Sequence, residues 1–257
     1  MFRYLFISIG FLFNIIILGS FTLCLIIYLL FQYYSDNLPT AEEIENYNPA
    51  TLSRVYNADG NISGIFGNKN RIYTPIEDIP QLVKNAFISA EDKNFYKHFG
   101  YDPIGLLKAI SDVLRGKKLR GASTITQQVM KNFLLSSERT GKRKIKEIIL
   151  ASRIEKVLTK DQILNVYLNE IYLGLGAYGV TAAAITYFDK KLDELSIGEA
   201  SFLAALPKAP SFYHPIRQKK KSIQRRNFVI KELNENGFIS LLEAEEFIKS
   251  DLVTALK

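Results

Sequence analysis

The chain has one cysteine, two histidines and no tryptophan in 257 residues. A lone Cys24 excludes any intrachain disulfide and any structural Cys₄ or Cys₂His₂ zinc site. His98 and His214 are too few for a histidine-rich metal centre. Charge is absent from one long stretch, since no residue from Tyr4 to Ser35 is Asp, Glu, Lys or Arg. Internal repeats and low-complexity tracts are also lacking. The chain as a whole is 47% hydrophobic and basic, with 33 Lys+Arg against 26 Asp+Glu. The length allows one large domain or two small ones, each with a real core.

The uncharged stretch is apolar from Tyr4 to Phe31, broken only by Ser8, Asn14, Ser20 and Thr22. A bilayer core needs about 20 apolar residues in helix. A secretory signal has a shorter apolar region of about 7–15 residues and a small-residue cleavage site. The run here ends in Phe31-Gln-Tyr-Tyr34 without such a site, so a retained transmembrane helix is expected. Arg3 precedes it, and Asp36, Glu42, Glu43 and Glu45 follow. The positive side stays in the cytoplasm, which puts the bulk of the chain outside. Nucleic acid is then a poor partner. Residues 1–35 read as cytoplasmic tip and anchor, 36–50 as linker, 51–250 as the working domain and 251–257 as its end.

Basic residues cluster at Arg115–Arg120, Lys142–Lys146, Lys219–Lys221 and Arg225-Arg226. Such runs read as solvated faces, or as attraction to anionic headgroups or phosphate-bearing ligands. Leu52–Tyr56 and Ile62–Phe66 flank Asn57-Ala-Asp-Gly60, a hairpin signal. Beyond Pro80 the pattern turns helical. Leu82, Val83, Ala86, Phe87 and Ala90 recur at helical spacing, Asp102-Pro103 opens a further helix, and Gly116 is a plausible stop. Capping boxes are expected at Thr124…Gln127, Thr159…Gln162, Ser196…Glu199 and Ser240…Glu243. The soluble part is therefore mainly α with a small β element near the membrane.

Three places carry candidate chemistry. Glu91 ends an amphipathic helix, where an apolar edge raises a carboxylate's proton affinity and suits general acid–base work. A solvated helix end beside Lys93 is the plainer reading of the same spacing. Ser123, Gln127 and Lys131 recur at i, i+4 and i+8 on one face, behind Gly121 and a capped helix start. With Arg139 eight residues on, that stripe reads as a phosphate or pyrophosphate clamp, or else as an ordinary cap and solvated face. Glu147 is either an i,i+4 partner of Arg143 or a second carboxylate of a sugar-processing pair. Both histidines read as structural.

In this order the pieces resemble the peptidoglycan glycosyltransferase domain (family 51) of class A penicillin-binding proteins. The matching strings are Glu91-Asp-x-x-Phe-x-x-His-x-Gly100, Gly121-x-Ser-Thr-Ile-Thr-Gln-Gln-x-x-Lys-Asn132 and Arg143-Lys-x-x-Glu147. Ile163-Leu-x-x-Tyr-Leu-Asn169 with Gly174-x-Gly-Ala-Tyr-Gly-Val180, and Ala204-x-Leu-Pro-x-Ala-Pro-Ser211, complete the set. The glycine-rich string is more similar to the 1A-type bifunctional members than to monofunctional ones. The resemblance covers roughly residues 50–250. It implies a lysozyme-like, two-lobed, mainly α fold after one transmembrane helix. It also implies polymerisation of lipid II at the outer face of the bacterial cytoplasmic membrane. On the family pattern Glu91 is the base for the acceptor 4-hydroxyl and Glu147 supports the donor site. Lys131 and Arg139 neutralise the leaving pyrophosphate, while Ser123, Gln127 and Asn132 hold the sugar–phosphate region. A divalent cation such as Mg²⁺ or Mn²⁺ is implied and a nucleotide cofactor is not. The metal's ligands stay open, with Glu91 plus substrate pyrophosphate as one option. Expected partners are lipid II, the growing lipid-linked glycan and cell-wall synthesis machinery.

Two positions depart from the pattern: Asn165 stands where many relatives carry Glu, and Asp189 where they usually carry Gly. A penicillin-sensitive transpeptidase is also missing, for neither Ser-x-x-Lys nor Lys-Thr-Gly occurs. The chain is thus expected to be a monofunctional enzyme, a truncated product or a fragment. The alternatives are a lysozyme-like lytic hydrolase and a non-catalytic membrane protein.

Overall fold

The computed structural model describes residues 2–35, 38–40, 42, 53–56, 62–66, 70–116, 123–134 and 141–256. Helix α1 (Phe2–Ser35) spans the whole uncharged stretch together with Arg3 before it. Its segment Phe13–Ser35 is, among the described residues, the one helix long and apolar enough to cross a membrane. Its end is fastened to the rest of the chain. Arg153 donates to the carbonyls of Leu38 at 2.9 Å and Pro39 at 2.7 Å, and to Ser35. Leu38 packs on the core. The segment read as a linker is therefore pinned where it begins.

Strands β1 (Ser53–Tyr56) and β2 (Ile62–Phe66) pair antiparallel, with Ser53 opposite Phe66 and an irregularity after Val55. This is the expected hairpin; its Asn57–Gly60 turn lies outside the described residues. Strand β3 (Asn70–Arg71) pairs parallel with β4 (Ala177–Tyr178), a ladder joining chain segments about a hundred residues apart that periodicity did not announce.

The remainder is helical: α2 (Gln81–Glu91), α3 (Pro103–Leu114), α4 (Ile125–Leu134), α5 (Gly141–Ile154) and α6 (Lys160–Glu170). After these come α7 (Val180–Phe188), α8 (Ile197–Ala205), α9 (Lys219–Glu235) and α10 (Leu241–Lys249). One continuous core runs through α2 and α4–α9, with Val83, Phe87, Ile125, Leu150, Tyr167 and Phe202 buried in it. Complete capping boxes start α6, α8 and α10, at Thr159, Ser196 and Ser240. Helix α3 is capped by Asp102, whose Oδ1 accepts from Gly105 N–H at 2.8 Å. Helix α7 ends on Asp189 in the left-handed conformation (φ 54°, ψ 41°). Glycine takes that conformation without a Cβ penalty, and Asp is among the few other residues that visit it. The departure at 189 thus touches a helix end.

The departure at Asn165 is absorbed by a polar cluster. Asn165 Nδ2 donates to Tyr73 Oη, and its Oδ1 accepts from Asn169. The buried Asn169 in turn bonds both backbone groups of Thr74. Gly179 follows from this packing: a Cβ there would lie 2.5 Å from the Asn169 carbonyl oxygen.

Candidate active site

Helix α2 ends at Glu91 because Asp92 leaves helical geometry and turns inward. Asp92 Oδ2 accepts from the Ile125 N–H at 2.9 Å, at the first turn of α4. The same oxygen lies 2.9 Å from His98 Nε2. His98 Nδ1 accepts from the Gly100 N–H, so Nε2 carries the ring proton and donates to Asp92. Thr124 Oγ1 closes the knot by donating to the Gly100 carbonyl. His98 is structural, as expected. One buried carboxylate, Asp92, thereby sets the end of α2 against the start of α4.

Glu91 itself is held from two sides. Gln128 Nε2 of α4 donates to Oε2 at 2.9 Å, and Arg225 Nη2 of α9 lies 3.9 Å from Oε1. Burial pushes the proton affinity of Glu91 up. The Gln128 hydrogen bond and the charges of Arg225 and Lys208 oppose that rise, whereas Asp92 adds to it. Tyr167, fully buried beneath, has a hydroxyl with no hydrogen-bond partner among the described residues. The solvated-end reading of Glu91 fails on this geometry.

The second carboxylate has a different set of partners. Glu147 is 3% exposed, on α5. Arg143 Nε donates to its Oε1 at 3.0 Å, which is the plain i,i+4 pair. Lys144 Nζ donates to its Oε2 at 3.0 Å, and also to Ser123 Oγ and Gln127 Oε1, each at 2.8 Å. Ser123, Gln127 and Glu147 thus meet on one ammonium. The plain helical pair with Arg143 exists, and it is one part of a larger assembly centred on Lys144.

Gln127 explains the incomplete cap of α4. Its N–H bonds Thr124 Oγ1 at 3.1 Å as a cap requires, but its side chain goes to Lys144. The expected box at Thr124 is therefore half formed. Adjacent Gln127 and Gln128 point about 100° apart around the helix and reach the Glu147 and Glu91 assemblies respectively. Lys131 lies one turn beyond Gln127 and is exposed. Asn132 lies on α4, and nothing further is described for it. Arg139 lies outside the described residues.

Several contributors escaped sequence reasoning. Lys144 stands at i,i+3 from Glu147, a signal that was available. Gln128 lies within the Gly121–Asn132 motif. Arg225 and Arg226 were read with the surface charge, and that reading is wrong for both. Arg226 is buried and donates to the Ser250 carbonyl at 2.8 Å, while Arg225 faces Glu91. The alternation of helix faces within α9 separates them.

The surroundings of Glu91 do not suit a metal. Its oxygens face an amide donor and a guanidinium, with Lys208 adding positive charge. No group of three His, Cys, Asp or Glu that could hold an ion occurs among the described residues.

A family model described as Transglycosylase matches residues 59–234. Penicillin-binding protein 1A of Rickettsia bellii is 45% identical over 233 residues, 89% of this chain and 30% of that protein. Its counterpart from Aquifex aeolicus is 47% identical over 217 residues, 84% of this chain and 30% of that protein. A crystal structure of penicillin-binding protein 1A from Haemophilus influenzae aligns over 82% of this chain and 22% of its own, at 26% identity and a TM-score of 0.46. The chain spans about 30% of the length of these curated relatives.

Proposed function

The chain belongs to the transglycosylase family, and from that premise we propose that it polymerises lipid II into glycan strands. The reaction is a glycosyl transfer with inversion. The acceptor 4-hydroxyl loses its proton to Glu91, its oxygen bonds to the donor anomeric carbon, and the bond from that carbon to phosphate breaks. Undecaprenyl pyrophosphate leaves. The carrying observation is Glu91, a largely buried carboxylate of raised proton affinity, held by Gln128 against α4, the helix that carries Lys131. A base with those surroundings is matched to a hydroxyl proton.

The leaving group sets the second need, because negative charge grows on the pyrophosphate as the bond breaks. Lys131 is exposed toward solvent, and Arg139 is the further cation of the proposed clamp. Lys144 holds Ser123, Gln127 and Glu147 as one preorganised unit, which supports the donor-site reading of these residues. A divalent cation, Mg²⁺ or Mn²⁺, belongs to this proposal as a companion of the substrate pyrophosphate. A two-lobed, lysozyme-like arrangement belongs to it as well.

The membrane side of the proposal rests on α1 and on a second apolar surface. Phe99 is 81% exposed, Ile104 76%, Leu107 67% and Leu114 83%. Ile104, Leu107 and Leu114 share one side of α3 by helical spacing, and large apolar side chains exposed in this way suit a membrane surface. We place this side against the outer leaflet of the cytoplasmic membrane, with α1 crossing once and its N-terminus in the cytoplasm. A lipid-linked donor then reaches the cleft without leaving the bilayer. Incubation of the full chain in detergent or vesicles with lipid II tests the function. Lengthening glycan and released undecaprenyl pyrophosphate are expected; shortening of finished glycan alone would instead indicate a hydrolase.

A further inference from the structure

Arg225 and Arg226 follow one another on α9 and do different work. Arg226 turns to the carbonyls that end α10. Arg225 turns to Glu91, and its guanidinium carbon sits 4.6 Å from the centre of the Phe228 ring, one helical turn on. Both Arg225 and Glu91 are largely buried, at 12% and 14% side-chain exposure. The Arg225 Nε has no hydrogen-bond partner among the described residues. A buried guanidinium with an unused donor, fixed on an aromatic face and directed at a carboxylate, is not explained by packing alone.

We propose that Arg225 is the positioning residue of the base: seated on Phe228, it holds the Oε1 side of Glu91 while Gln128 holds the Oε2 side. The inference rests on the reading of Glu91 as the base. The distance is what favours this role. At 3.9 Å the guanidinium is beyond hydrogen-bonding range, so it orients the carboxylate without forming the bidentate pair that would spend its basicity. A tight pair would hold Glu91 ionised and poorly basic; no cation at all would leave its orientation to one amide.

The test measures kcat and KM for lipid II in the full chain carrying Arg225→Gln, Arg225→Lys, Phe228→Leu or Glu91→Gln. Arg225→Gln is expected to lower kcat by about 10- to 100-fold, the scale of a misplaced reacting group, with KM nearly unchanged. Arg225→Lys recovers most of that loss because it keeps the charge. Phe228→Leu gives a smaller loss of the same kind, and it carries the test if Arg225→Gln fails to melt cooperatively. Wild-type kcat in every folded variant at Arg225 and Phe228, a rise in KM at constant kcat, or no recovery with lysine would each overturn the proposal. Glu91→Gln separates it from its premise. If that variant turns over normally, the base assignment itself falls; if it is inactive and the Arg225 variants are normal, only the positioning role falls.

Discussion

Replacing Lys144 with Met keeps the length of the side chain and removes its donors. In the folded chain Lys144 Nζ bonds Ser123 Oγ and Gln127 Oε1 at 2.8 Å and Glu147 Oε2 at 3.0 Å. Losing a hydrogen bond costs about 1 kcal/mol for each of the two neutral acceptors. The ion pair with Glu147 adds little, because 43% of the lysine side chain is exposed and water screens it. Glu147 also keeps Arg143 at 3.0 Å. The net loss is about 2 kcal/mol, or a fall in Tm of roughly 4–8 °C for a domain of this size. Scanning calorimetry of the detergent-solubilised chain measures it. Turnover of lipid II, measured below the Tm of both proteins, should fall by about 100-fold, since three groups of the proposed donor site lose their common support. In a Glu147→Gln background the stability cost of Lys144→Met should stay nearly the same, because the bonds to Ser123 and Gln127 carry most of it. An unchanged Tm with wild-type turnover would refute the view that Lys144 organises this part of the site.

Other expectations follow from single residues. Glu91 has its proton affinity raised mainly by burial, so its favourable contribution to stability is present below the ordinary carboxylate range and lost as pH rises through the raised value. Glu91→Gln should therefore melt above wild type at neutral pH, and the gap should close in acid. For the same reason the acid limb of the wild-type rate profile should lie above the pH at which an ordinary glutamate titrates. Asp189→Gly relieves a left-handed cost of about 1 kcal/mol and adds about half of that back in chain entropy, for a net gain of about 0.5 kcal/mol by calorimetry. Lys131→Ala should weaken binding of phosphoglycolipid inhibitors of the moenomycin type while leaving the Tm unchanged, because Lys131 is exposed.

Local signals were the legible ones. Glu91 at the end of an apolar helix, the capping boxes of α6, α8 and α10, the anchor and the first hairpin are all set by residues within a turn or two of each other. Tertiary partners were not legible in that way. The β3–β4 ladder joins distant segments, and nothing in two-residue strands marks the pairing. Gln127 was read as half of a capping box, but Lys144 on another helix offered its carbonyl a charged donor, and the tertiary bond won. Arg225 looked like its neighbours in a basic run; only the rotation of α9 shows that it turns inward. The strings that carried the family resemblance contained Gln128 and Lys144, but their roles needed the packing of α4 against α2 and α5.

The most direct test of the account is lipid II polymerisation by the wild-type chain beside Glu91→Gln, with folding of both checked by calorimetry. The account predicts long glycan and stoichiometric undecaprenyl pyrophosphate from wild type, and no polymer from a fully folded Glu91→Gln. Polymer from the variant at the wild-type rate would contradict it.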